Sequence, residues 1–292
     1  MAELSSNQFE LGGVVFGDFT PRQVTDFDPG DSTLRDGDTA SPGEDGIQFG
    51  LDHVDGRLLT WELFADATDA PSARAAMVPL ETAWDARAVR DSPRAVLPLR
   101  MRLPGHQTVR VYGRPRKMTP ANLRSRPDGV ADYVATFQTA DAVFYGDVEH
   151  SVDLSLIAAG GGGITWPVTW PVTWAPGAQR QDAVVNTGEL PAWPVITIRG
   201  PVAQPRVAFL ESGAEVRLDV SLASYMSVVL DTRPWVRSVR RTDGASLAGA
   251  MRGDRLADMA LPVGRTTVRF RGTDVSGQAR CRIAWADAFS SP

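Results

Sequence analysis

The chain has 292 residues, 43% of them hydrophobic and 22% charged. This is a globular composition, long enough for two domains that each bury a core, and it excludes a disordered chain. A net charge of -5 argues against a nucleic-acid binder, which needs Lys and Arg in excess, and the single Cys281 excludes internal disulfides and cysteine-based metal sites.

In chain order, residues 1–56 are polar and rich in turn residues, with a candidate strand at 14–19. An acidic loop follows, TDFDPGDSTLRDGDTASPGEDG. Its Asp26, Asp28, Asp31, Asp36 and Asp38 resemble calcium ligands, but the glycine comes a position early and Gly37 stands where a closing Glu belongs. A solvated or interface loop is therefore expected. Residues 57–65 (RLLTWELFA) alternate as a strand, with Leu59, Trp61, Leu63 and Ala65 on one face. The spacing of Ala76, Met77, Leu80, Ala83 and Trp84 predicts a helix capped by Asp69 with Pro71 in its first turn. Pro79 inside that pattern predicts a kink there or a later start.

A hairpin is expected next, 97–103 returning through 108–112 around Pro104-Gly105. A basic loop, 113–117, leads to a Pro127-Asp128-Gly129 turn and a strand at 130–137. Near the middle lies ITWPVTWPVTW, residues 164–174, behind four glycines at 160–163. Trp166, Trp170 and Trp174 fall on one parity, and Pro167 and Pro171 remove backbone donors from a single edge. This predicts an edge strand or extended arm that opens the second half. The stretch from 154 to 179 carries no charge, but its glycines and prolines make it a poor membrane helix. Beyond it, short strands at 193–199, 206–210, 215–222, 226–230, 235–240, 266–270 and 280–285, with no helix between them, argue for a β-sandwich. The fold expected is mainly β: residues 1–147 as one β-sandwich domain with one helix, 148–292 as a second β-sandwich.

Motifs for catalysis are missing. His53, His106 and His150 lack metal-site spacing. The glycine run has no GK[ST], and no G-x-S-x-G appears. Paired carboxylates for sugar hydrolysis have no fixed spacing and stay open. No cofactor and no metal are expected. The basic residues Arg100, Arg102, Arg110, Arg114 and Arg116 form a candidate partner surface, and the three tryptophans a candidate domain interface or glycan-stacking platform.

Several segments carry a resemblance: DGIQFGLDHVDGRLLTWEL, LPLRMRLPG, VYGRPRKM, DYVATFQTADAVFY, NTGELPAWPVITIRGP, LPVGRTTVRFRGTD and ARCRIAWADAF. With the Trp-Pro repeat, the chain resembles the distal tail proteins of long non-contractile-tailed (siphovirus-type) phages over most of its length. That resemblance implies a non-enzymatic virion protein of the tail tip, made in the host cytoplasm. It implies an N-terminal belt domain at 1–147 assembled as a homo-hexameric ring, and a galectin-like or carbohydrate-module-like sandwich at 148–292. The ring would join the tail tube protein to the baseplate hub or tail-associated protein, near the tape measure protein, and let DNA pass. The second domain could instead recognise host cell-wall glycan, making the protein an adhesin. For the acidic loop two roles are open: pairing with the arginine surface to set ring register, or lining the lumen to repel DNA.

Overall fold

The computed structural model describes residues 3–43, 45–122, 129–156, 181–274 and 276–292. The Trp-Pro repeat, its glycine run, and Arg124 and Arg126 lie outside these residues. The chain is mostly β and divides into two compact units, Met1–Asp147 with Phe289–Pro292, and Val148–Ala288.

The first unit opens with β1 (Gln8–Leu11), β2 (Val14–Gly17) and β3 (Gln23–Asp28). Four two-residue strands follow, β4 (Leu34–Arg35), β5 (Thr39–Ala40), β6 (Ile47–Gln48) and β7 (His53–Val54). Next come β8 (Leu58–Asp66), α1 (Ala70–Asp85), the short α2 (Arg87–Arg90), β9 (Leu97–Arg102), β10 (Val109–Asn122), β11 (Val130–Thr139) and β12 (Phe144–Gly146). The main sheet is antiparallel in the order β2-β1-β9-β10-β11-β8-β3, with β12 beside β10. Its two ends meet around one aromatic cluster. The Phe9 ring (β1) lies 5.0 Å from Phe27 (β3), and Trp61 of β8 sits edge-on to Phe9 at 5.7 Å. Alternation in β8 and β11 sends Leu59, Trp61, Leu63, Tyr133 and Phe137 inward, because successive strand residues face opposite sides.

Helix α1 covers this core with Ala73, Met77, Leu80 and Trp84. Asp69 caps it by accepting from Ser72 N at 2.8 Å, and Pro71 sits in the first turn where its missing N–H costs nothing. Of the two expectations for Pro79, the later start does not hold: the helix begins at Ala70 and runs through Pro79. The tertiary face formed by Met77, Leu80 and Trp84 holds both turns in place.

The expected basic loop at 113–117 is strand instead. β10 continues to Asn122, with register breaks between Pro115 and Lys117 and between Pro120 and Asn122. Its pairing with β9 ends at Gly113, so the prolines beyond fall where the ladder is carried by β11 alone and a missing N–H is tolerated. The acidic loop is also partly ordered. Its first residues belong to β3 at the sheet end, and 33–55 form an antiparallel ribbon, Leu34 opposite Val54 and Ala40 opposite Ile47.

The second unit comprises β13 (His150–Ser155), β14 (Gln181–Asn186), β15 (Val195–Arg199), β16 (Val202–Phe209), β17 (Glu215–Leu218), β18 (Ser221–Leu222), β19 (Ser227–Asp231), β20 (Ser238–Arg241), β21 (Met251–Gly253), β22 (Gly264–Thr273) and β23 (Arg280–Trp285). These make two antiparallel sheets, β13-β23-β15-β19-β20 and β14-β22-β16-β17-β21 with β18 on β16. Each buries one face: Ile196, Ile198, Leu230 and Ile283 from the first, Val207, Phe209, Val268 and Phe270 from the second. That is the pattern of a sandwich.

Candidate functional site

The five candidate arginines separate into two groups. In the sheet register Glu10 of β1 pairs with Arg100 of β9, which pairs with Arg110 of β10. Two arginines directly opposite repel unless an anion is placed between them. Asp147, just past β12, supplies it. Arg100 donates through Nε and Nη2 to the two carboxylate oxygens at 3.0 and 2.7 Å, and Arg110 donates through Nε and Nη2 to Oδ1 at 3.2 and 2.7 Å. Arg110 also donates to the Asp147 backbone carbonyl, and Arg100 Nη1 to Glu10. The Arg100 side chain is 7% exposed. Burial opposes the charged form of Asp147, but the hydrogen bonds from Arg100 and then Arg110 outweigh it and hold the carboxyl below its ordinary range. Arg102 donates to Leu4 O at 2.9 Å and to Glu3 at 3.2 Å. These three arginines are engaged inside the first unit.

Arg114 and Arg116 lie elsewhere, on the far part of β10. Arg114 donates to the carbonyls of Ala95 (2.8 Å) and Ser92, tying down the turn after α2, while the Arg116 side chain is exposed. Both line a cleft of about 590 Å³ between the end of α1, α2 and β10. Met118 and the edges of the nearly buried Trp84 and Val89 give it apolar surface, and Arg90 adds a third guanidinium to the rim. The Trp84 indole is fixed by donating to Thr136 O at 3.1 Å and by edge contact with Trp61. Glu81 and Asp85 also line the cleft; Asp85 accepts from Arg87 and Arg90 at 3.1 and 2.5 Å.

The ribbon 33–55 is the other unusual surface. Every described side chain from 31 to 54 except Ser41 is exposed. These include Leu34, Ile47, Phe49 (87%), Leu51 (81%) and Val54. Its aspartates have local roles: Asp38 accepts from Gly50 N at 2.8 Å, as Asp28 does from Gly30 N just before the ribbon. The sequence reading noted the acid and missed the apolar content, although Phe49 and Leu51 at alternate positions gave a signal.

Of the histidines, His53 lies in the ribbon and His106 in the β9–β10 turn, both exposed. His150 Nε2 lies 3.5 Å from Asp287 Oδ2, the oxygen that also accepts from Thr187 Oγ1 at 2.5 Å. Both groups address one carboxylate, so the histidine is not placed to activate the hydroxyl. Asp287 instead pins the 186–188 turn, accepting from Thr187 N at 3.1 Å as well. Among the described residues no group of three or more acidic, His or Cys side chains could hold a metal, and no helix is long and apolar enough to cross a membrane. Trp166, Trp170 and Trp174 lie outside the described residues.

No family model and no curated protein matches the chain. Among solved structures it is similar to the Dit protein of phage SPP1, described as a paradigm of the hub adsorption apparatus in phages infecting Gram-positive bacteria. The TM-score is 0.58 at 13% identity, over 97% of this chain and 98% of that one. A chain of the phage P2 baseplate in its activated conformation aligns at TM-scores of 0.48 with calcium and 0.49 with strontium. Both alignments have 11% identity and cover 95% of this chain and 97% of the other. At these identities the likeness is one of fold: the chain shares the fold of the SPP1 protein over 97% of its length.

Proposed function

We propose that this protein is a structural component of a phage tail tip: a distal tail protein whose first unit builds a hexameric ring between the tail tube and the baseplate hub, with DNA passing through its centre. The observation that carries this reading is the extent of the SPP1 Dit match. It spans 97% of one chain and 98% of the other, so both units are accounted for in one arrangement along the sequence. The surfaces agree with assembly. A closed ring is built from heterologous contacts, in which each subunit brings two different patches, and the first unit carries an apolar acidic ribbon and a separate cleft with an arginine rim. On this reading the protein works by holding partners in place and is not an enzyme. Its partners are further copies of itself, the tube protein, the hub protein and the tape measure protein.

The test is the particle formed by the purified full-length protein. Multi-angle light scattering should give six times the chain mass of 31.5 kDa, and negative-stain images should show six-fold rings with a central opening. A monomer at every concentration, or an open filament, would sink the ring. The alternative, recognition of host cell-wall glycan by the second unit, would be favoured instead by glycan-array binding of residues 148–292 alone.

A further inference from the structure

The ribbon and the cleft fit one another chemically, and they belong to the same chain. The ribbon presents Leu34, Ile47, Phe49, Leu51 and Val54 to solvent, although a two-stranded ribbon with no covered face is at best marginally stable in water. Exposed apolar side chains grouped in this way mark a contact surface. Residues 33–55 contain six acidic side chains against Arg35 and the single histidine His53. The cleft has the opposite character. Its exposed lining is mainly polar: Arg90, Arg114 and Arg116 stand against Glu81 and Asp85, and Met118 adds apolar surface together with the edges of the nearly buried Trp84 and Val89. Asp85 is already spent on Arg87 and Arg90, and Arg114 donates only to neutral carbonyls, so the rim keeps positive charge to offer. Its volume of about 590 Å³ lies within the range of roughly 300–1,000 Å³ typical of clefts that hold a ligand. Among the described residues, none of the ribbon lines the cleft.

We propose that the ribbon of one copy seats in the α1–β10 cleft of a second copy, with Phe49 and Leu51 against Met118 and the exposed edges of Trp84 and Val89, and the ribbon's carboxylates against Arg114 and Arg116. The occupant is another copy of this chain because both halves of the contact, an acidic ribbon and a cleft with an arginine rim, are present on it and are opposite in charge. At a rise of about 3.3 Å per residue, residues 33–43 give the ribbon a reach of roughly 30 Å. The contact joins two different patches, so it can be made head to tail, as a ring requires. This inference rests on the ring reading and specifies which surfaces make the ring.

The experiment uses full-length protein carrying a photo-crosslinking amino acid in place of Phe49. Isotopically heavy and light copies are mixed before irradiation, so intermolecular links are recognised by mass. Heavy–light links from position 49 to residues 81–90 or 114–118 are expected. Phe49→Asp should weaken self-association about tenfold or more, the loss of one large buried apolar group. Arg116→Glu should weaken it several-fold, and adding Asp52→Arg should restore part of that loss by charge exchange. All three residues are exposed, so the variants retain the fold. Self-association with links that fall elsewhere, or inside one chain, overturns this inference and leaves the ring reading standing. A protein that never self-associates overturns both.

Discussion

At the scale of single residues, the most consequential group is one that no motif marked. Asp147 holds Arg100 and Arg110 together across β9 and β10. Removing its charge takes a carboxylate from both Arg100 and Arg110 at once. Asp147→Asn should therefore destabilise the first unit by about 3 kcal/mol, as a half-removed buried ion pair does, read from chemical denaturation. The sign with pH is clear. The Asp147 carboxyl is held below its ordinary value of 3.8, so its contribution is complete above about pH 4 and lost as the pH falls further. Asp141 acts in the opposite direction. Burial raises its carboxyl to about 6, partly opposed by the Tyr145 hydroxyl donating at 2.6 Å. The folded protein keeps a proton there that the unfolded chain has released, so this contribution falls as pH climbs from about 4 to 6. Asp141→Asn can still accept from Tyr145. It should be more stable than the parent at pH 7 by on the order of 1 kcal/mol, with a flatter stability profile between pH 4 and 6. An unchanged profile would show that Asp141 titrates normally. Asp147 was not legible in the sequence because Arg100 lies 47 positions away in the chain; the partner of Asp141, Tyr145, is only four positions away, and what stayed hidden there is the burial that the fold imposes.

At the scale of elements, the helix and β8 were readable because their signals are local. A 3.6-residue apolar period with an Asp cap, and strict alternation around Trp61, each need only a short window. The far part of β10 was misread for a local reason as well. Gly113, Pro115 and Pro120 are loop residues by composition, and they stand in a strand because register breaks and one-sided pairing accommodate them. Gly113 has a further constraint, since a Cβ there would lie 2.1 Å from Gln138 O and 2.6 Å from Phe137 Cε1. Gly113→Ala should therefore force β10 and β11 apart and lower stability by about 3 kcal/mol, seen as a fall in Tm. In the ribbon, β4 to β7 are two residues each, too short for periodicity to register. Charge dominated the reading of that stretch and hid its apolar side chains.

At the scale of the whole molecule, the all-β character of the second half was legible from closely spaced strands without helices, and the strands of the second unit lie in two sheets. Hidden from the sequence was the return of the chain: Phe289 packs against the core of the first unit, and Ser290 O accepts from Arg57 Nη2 at 3.1 Å. Ending the chain after Ala288 should thus weaken the first unit by about 1–3 kcal/mol, the value of one large apolar side chain and a hydrogen bond. The second unit should keep its own transition. Two resolved calorimetric transitions, with only one displaced, would bear this out; equal displacement of both would contradict it.

The same return gives the protein a mechanical order. The second unit is an insert, entered after Asp147 and left before Phe289, and so is shielded from a pull between residues 3 and 292. Tension along that line is carried first by the rolled sheet, its Phe289 anchor and the Asp147 clamp. Only after these yield does the insert become part of the loaded path. Under stretching, the sandwich would be the second component to fail, however fragile it is alone.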